Sequence, residues 1–165
     1  MRRSIFILAL LLAVAAFSIA PVMAPCMPKC TGKVTGGGQI LICGGKASFG
    51  FNAMKFSRDA APKGELEYID HVSGDKVHAH LLTYLAVWGD NPGNKPWPRL
   101  KADFAGPCTL NHVEGYRFWV YVEDDGEPSS PDFFRIKVWD SEDNVVYQKL
   151  GDLLHGNIQI HKPPK

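Results

Sequence analysis

Residues 116–139, YRFWVYVEDDGEPSSPDFFRIKVW, decide the fold of this 165-residue chain. Two apolar runs flank an acidic turn that contains proline, and large apolar residues recur at every second position of both runs. Alternation with this period is typical of β-strands that bury one face against a core. The predicted inward row comprises Phe118, Val120 and Val122 on the first strand and Phe134, Ile136 and Val138 on the second.

The opposite face of these two strands carries aromatic and cationic side chains, whereas an ordinary solvent-facing surface carries few large rings. We predict a contact surface here, because aromatic residues and Arg are enriched at the centres of interfaces. The candidate binding face comprises Arg117, Trp119, Tyr121, Phe133, Arg135 and Trp139, with Trp97 from a loop rich in turn residues. The alternative is that a second layer of the same domain covers these rings.

The rest of the chain repeats the pattern of short apolar strands separated by turns. It carries 16 Gly and 12 Pro in scattered positions, and no long segment with helical periodicity follows residue 24. We therefore predict one all-β domain over residues 34–162, folded as a single antiparallel β-sandwich or partly closed barrel of about nine strands. The net charge of +1 does not indicate a nucleic-acid-binding surface.

The first 24 residues have the three parts of a secretory signal peptide. Arg2 and Arg3 supply the positive start, an apolar run begins at Ile5, and Val22-Met23-Ala24 forms a cleavage site. We expect a secreted protein, extracellular or at the cell surface, with a flexible tail over residues 25–33 and no membrane span after cleavage. The alternative is an uncleaved membrane anchor.

The four cysteines are interpreted in the light of secretion, because an even number outside the cytosol favours disulfides. Four cysteines allow three connectivities, and we expect Cys43 to pair with Cys108. Cys26 and Cys30 would then close a small ring or bond to another subunit. A four-thiolate zinc site is the alternative, although the spacing does not match a double C-x2-C pattern.

Two further groups are candidate metal ligands, although no cofactor is required by the sequence. His78 and His80 lie two residues apart on one strand face, an arrangement that suits a transition metal. Carboxylates crowd the turn of the central hairpin and repel each other unless a cation sits among them, which suggests calcium. This second group comprises Asp124, Asp125, Glu127 and Asp132.

Seven short motifs occur in a fixed order along the chain: KVTGGGQI, KASFGFNA, GELEYIDH, GDKVHAH, YVEDDGEPSSPDFFRIKV, VVY and GNIQIHK. Together they resemble a small secreted β-domain of microbial surface proteins, the "post-choice-of-anchor" domain. The resemblance covers nearly all of the chain after the signal peptide. It implies an extracellular module with no assigned activity, usually an appendage of larger surface proteins.

These observations favour a non-enzymatic domain that acts through contacts with other protein subunits or a cell-surface polymer. No G-x-S-x-G nucleophile motif occurs in the chain. One alternative is a carbohydrate-binding module that stacks sugars on Trp97, Trp119 and Trp139. A second alternative is a metal-dependent enzyme built on His78 and His80.

The signal peptide yields a direct prediction. Protein recovered from the culture medium should begin at Pro25, because cleavage follows Ala24. Intact-mass spectrometry and N-terminal sequencing measure this. Retention of residues 1–24 in membrane-bound protein would support the uncleaved anchor instead.

Overall fold

The computed structural model describes residues 31–90, 99–126 and 131–161. The regular elements of these residues are all strands, as predicted. They are β1 (Gly32–Ile42), β2 (Gly45–Lys55), β3 (Lys63–Asp70), β4 (Lys76–Ala79), β5 (Tyr84–Asp90), β6 (Arg99–Leu110), β7 (Val113–Asp124), β8 (Phe133–Trp139) and β9 (Val145–His161). The prediction of an all-β domain of about nine antiparallel strands is confirmed. None of the described residues forms a helix with the length and apolarity needed to cross a lipid bilayer.

The strands form one antiparallel sheet in the order β4-β3-β2-β1-β9-β8-β7-β6-β5. β4 also pairs with β6, through Val77 with Leu110 and His78 with Thr109. This pairing closes eight strands into a barrel and leaves β5 as an additional strand on β6. The sequence was compatible with a sandwich or a partly closed barrel, and the structure is a barrel.

The alternation of apolar residues from Lys76 to Trp88 predicts one long strand, but the structure divides this segment into β4 and β5. β4 and β5 both pair with β6, and they are separated by an interruption at residues 80–83. The alternation predicts that Leu81 points inward, but Leu81 is 58% exposed and Leu82 is buried instead. The prediction for Leu81 was wrong because this residue lies in the break, where strand alternation does not apply. Beyond the break, Leu85 and Val87 are buried, as the alternation predicts.

The core lies inside the barrel and matches the predicted inward rows of β7 and β8, which are 0–1% exposed. Phe134 is at its centre: its ring lies 3.9 Å from that of Phe49 and 6.0 Å from that of Tyr68, nearly parallel to both. Phe51 and Phe104 extend this packing, with ring centroids 5.0 Å apart. The aromatic residues therefore fill the barrel interior from several strands.

Glycines allow β1 and β9 to approach closely. A Cβ at Gly156, where φ is +113°, would lie 2.1 Å from the carbonyl oxygen of Gly37. A Cβ at Gly38 would lie 2.4 Å from the carbonyl oxygen of His155, and the register of the two strands shifts after Gln39. The glycine triplet of β1 thus marks a close backbone approach beside an irregular register.

This approach predicts a position-specific cost of adding one methyl group. Gly156→Ala should lower the free energy of unfolding by about 2–4 kcal/mol, through the positive φ and the backbone clash. Gly37→Ala is the matched control, because its Cβ would make only ordinary van der Waals contacts, with the Phe49 carbonyl oxygen at 3.5 Å and the Gly50 Cα at 3.9 Å. Urea unfolding measures both variants, and equal losses at the two positions would contradict the close approach.

Candidate functional site

The predicted binding face lies on the outside of the barrel, on β7 and β8. Its aromatic members are half-buried there, and the described residues do not form a second layer over them. Arg117 is registered against Trp139, and Tyr121 against Arg135, so the two strands present one continuous surface. Trp97 lies outside the described residues. The structure divides this surface into a ring cluster and a cleft.

The ring cluster is centred on Tyr121. The centroid of its ring lies 6.1 Å from that of Trp88, 6.0 Å from that of Trp119 and 6.2 Å from that of Phe133. The Arg135 guanidinium carbon lies 5.8 Å from the centre of the Phe133 ring, a cation–π contact. We call Trp88, Trp119, Tyr121, Phe133 and Arg135 the Tyr121 cluster.

Asp103 of β6 lies beside this cluster and holds one of its rings. The Trp119 Nε1–H donates a hydrogen bond to Asp103 Oδ2 at 3.1 Å, and Tyr84 donates a second bond to the same carboxylate. Burial raises the pKa of Asp103, although these two bonds oppose the effect. The Asp103 side chain therefore fixes the indole orientation of Trp119.

The cleft lies between Trp119 and Trp139 and has a volume of about 470 Å³. Ala105 and Pro107 of β6, which are registered against Trp119 and Arg117, also line it. The rim is polar and includes Thr83, Arg117 and Asp143. This concave site is within the size range of small-molecule pockets, roughly 300–1,000 Å³.

The expected disulfide between Cys43 and Cys108 is not present, and both thiols are free. Cys43 is exposed in the turn after β1, whereas Cys108 is buried on β6. β2, β3 and β4 lie between these two strands in the sheet, and this separation explains why the pairing was wrong. Burial raises the pKa of the Cys108 thiol to about 12. Cys26 and Cys30 lie outside the described residues.

The two histidines of the predicted transition-metal site are adjacent. The rings of His78 and His80 meet edge to face, with centroids 3.9 Å apart, and Glu67 forms an ion pair with His78. In residues 31–90, 99–126 and 131–161, no group of three or more His, Cys, Asp or Glu side chains is arranged to hold a metal ion. Metal binding and an enzymatic role for this pair stay predictions.

The carboxylates of the acidic turn bind backbone amides. Asp132 accepts hydrogen bonds from the N–H groups of Ile158 at 2.7 Å and Asp125 at 3.1 Å. Asp124 accepts one from the N–H of Ile160 at 2.9 Å. Burial raises the pKa of Asp132. These side chains thus tether the turn to β9, and the calcium prediction, whose Glu127 lies outside the described residues, stays a prediction.

A buried polar group that period-2 patterning did not predict lies at one end of the barrel. Asp70 is 1% exposed and accepts hydrogen bonds from the Tyr147 hydroxyl at 2.7 Å and from the N–H groups of Val72 and Ser73. Tyr147 and Tyr68 share a second bond, 2.8 Å long, and burial raises the pKa of Tyr68 to about 12. Burial opposes the charge of Asp70, but its hydrogen bonds outweigh burial and lower its pKa.

Sequence periodicity could not show that these residues meet, because they are up to 79 residues apart along the chain. One signal was available. Asp70 and Tyr147 both fall at positions that continue the inward row of their strand, where a polar residue requires a partner.

Comparison with known protein families, with curated proteins and with solved structures finds no match to this chain. The resemblance to the post-choice-of-anchor domain therefore stays a prediction.

The lowered pKa of Asp70 predicts an acid-dependent loss of stability. A carboxyl with a depressed folded-state pKa stabilises the fold above the unfolded-state pKa, about 3.9, and loses this contribution as the pH falls through the folded-state value. Asp70→Asn should therefore lose about 1–3 kcal/mol near pH 7, and the difference from the wild type should shrink below about pH 4.

Urea unfolding across this pH range measures the effect. Asp59→Asn, which changes an exposed carboxylate in the loop after β2, is the control. A difference between wild type and Asp70→Asn that is the same at every pH would show that Asp70 does not carry this pH dependence.

Proposed function

We propose that this chain is a secreted, non-enzymatic β-domain that acts by contact with other protein subunits, as part of a surface, matrix or fibre assembly. The Tyr121 cluster is the observation that carries the proposal. Its rings pack against one another on the outside of a closed barrel and remain partly exposed. Aromatic residues and Arg in such an arrangement are typical of interface centres.

Packing between the rings favours binding, because side chains already held in place lose little conformational entropy when a partner covers them. The apolar surface continues onto β9, where Leu150 is registered against Arg135 and is 43% exposed. Leu154, on the same strand, is 41% exposed. The contact area is thus wider than the cluster itself.

The charges of the barrel support a second copy of this chain as the partner. β8 presents Arg135 and Lys137 outward, and β3 lies four positions from β8 in the eight-strand ring, on the opposite side. The outer face of β3 presents Glu65 and Glu67. A contact between these two different faces is head-to-tail, and head-to-tail contacts propagate into chains or fibres.

The proposal predicts concentration-dependent association of the protein without residues 1–24. Arg135→Glu should raise the dissociation constant about tenfold or more, because it places a negative charge against the acidic face and removes the cation over Phe133. The double variant Arg135→Glu with Glu67→Arg should regain association, because it restores opposite charges across the contact.

Sedimentation velocity with and without reductant measures association and separates it from disulfide linkage through Cys26 or Cys30. Arg58→Glu makes the same charge change in the exposed loop after β2 and is the control. A wild-type protein that stays monomeric up to millimolar concentration in both conditions would overturn the proposal. If Arg135→Glu and Arg58→Glu weaken association equally, the Tyr121 cluster is not the contact surface.

A further inference from the structure

We propose that the cleft between Trp119 and Trp139 binds a pyranose ring of a neutral saccharide. This inference goes beyond the subunit contacts proposed above, and the cleft shares only Trp119 with the Tyr121 cluster. The outer face would then bind a second kind of ligand at a separate position, close to the turn between β8 and β9.

The walls of the cleft suit a flat, partly apolar ligand. Trp119 and Trp139 lie on neighbouring strands, two register positions apart, because Trp119 pairs with Lys137. The cross-strand neighbour of Trp119 on β6 is Ala105, and its small side chain leaves the indole uncovered on that side. Both indoles line the same cleft, and its volume of about 470 Å³ leaves space for one sugar ring against them.

Trp119 is held in place before any ligand arrives. Its Nε1–H is bonded to Asp103, and its indole lies nearly parallel to the Tyr121 ring, with an interplanar angle of 19°. An aromatic platform fixed in this way costs little entropy to use in binding. The structure thus contains a prepared stacking surface rather than a mobile side chain.

The rim supplies polar groups that pair with each other. Arg117 forms an ion pair with Asp143. Asp143 belongs to a tight turn in which Asp140 Oδ1 accepts hydrogen bonds from the N–H groups of Glu142 and Asn144, both at 2.9 Å. A guanidinium has five N–H donors, more than one carboxylate uses, so the pair can both donate to and accept from hydroxyl groups.

A saccharide matches this combination of surfaces. The face of an indole carries partial negative charge, and a pyranose presents a face of C–H bonds with partial positive charge, so the two stack. The ring edge carries hydroxyls that both donate and accept, as the rim requires. Arg117 and Asp143 neutralise each other, so this rim pair favours a neutral sugar over an anionic one.

The test uses a panel of neutral oligosaccharides built from glucose, mannose, xylose and N-acetylglucosamine, with oligogalacturonate as the acidic comparison. Binding is measured by calorimetry and by tryptophan fluorescence of the protein without residues 1–24. At least one neutral oligosaccharide should bind, and Trp139→Ala should weaken its affinity about tenfold or more.

Phe56→Ala is the control, because this exposed ring lies outside the cleft and should leave affinity unchanged. Thermal unfolding of each variant separates lost binding from lost folding. Ala105→Phe fills the cleft without removing either indole and should also abolish binding. Arg135→Glu, which disrupts the subunit contact, should leave saccharide affinity unchanged, so the two proposals fail independently.

Absence of binding to every neutral oligosaccharide overturns the inference. Binding of oligogalacturonate alone, or saccharide binding that folded Trp139→Ala and Ala105→Phe both retain, also overturns it.

Discussion

Two backbone pairings between β4 and β6, Val77 with Leu110 and His78 with Thr109, close eight strands of the sheet into a ring. A closed sheet has its core on the inside and needs no second sheet to cover it. Every strand residue that points outward is therefore at the surface unless a loop covers it. The exposure of the aromatic face on β7 and β8 follows from this closure together with the period-2 alternation of side chains.

Side-chain carboxylates accept backbone hydrogen bonds where a strand lacks a ladder partner. Where a strand stops pairing with a neighbouring strand, its backbone N–H and C=O groups on that side lose their hydrogen-bond partners. The first half of β9 pairs with β8, and the second half pairs with β1. Asp132 and Asp124 accept hydrogen bonds from Ile158 and Ile160, in the part of β9 that β8 does not pair. Asp70 likewise accepts hydrogen bonds from the backbone N–H groups of the turn after β3. These carboxylates therefore stabilise the barrel where the backbone hydrogen bonds between strands end.

Period-2 patterning was a reliable guide wherever a strand runs unbroken. The rows around Phe118 and Phe134 were predicted because each inward residue follows from the alternation alone. The pattern failed at Leu81, which lies in the break between β4 and β5, and no local residue signals that break. It also could not give the distance between Cys43 and Cys108, which depends on the order of strands around the ring.

Hydroxyl-radical footprinting of the folded protein, at a concentration where it is monomeric and read by mass spectrometry at individual side chains, tests the outward orientation of the rings most directly. Tyr121 and Trp139 should be oxidised in the folded state, whereas Phe118 and Phe134, which are 1% and 0% exposed, should be protected until the protein is unfolded. Protection of Tyr121 and Trp139 equal to that of Phe118 and Phe134 would contradict a closed barrel with an uncovered aromatic face.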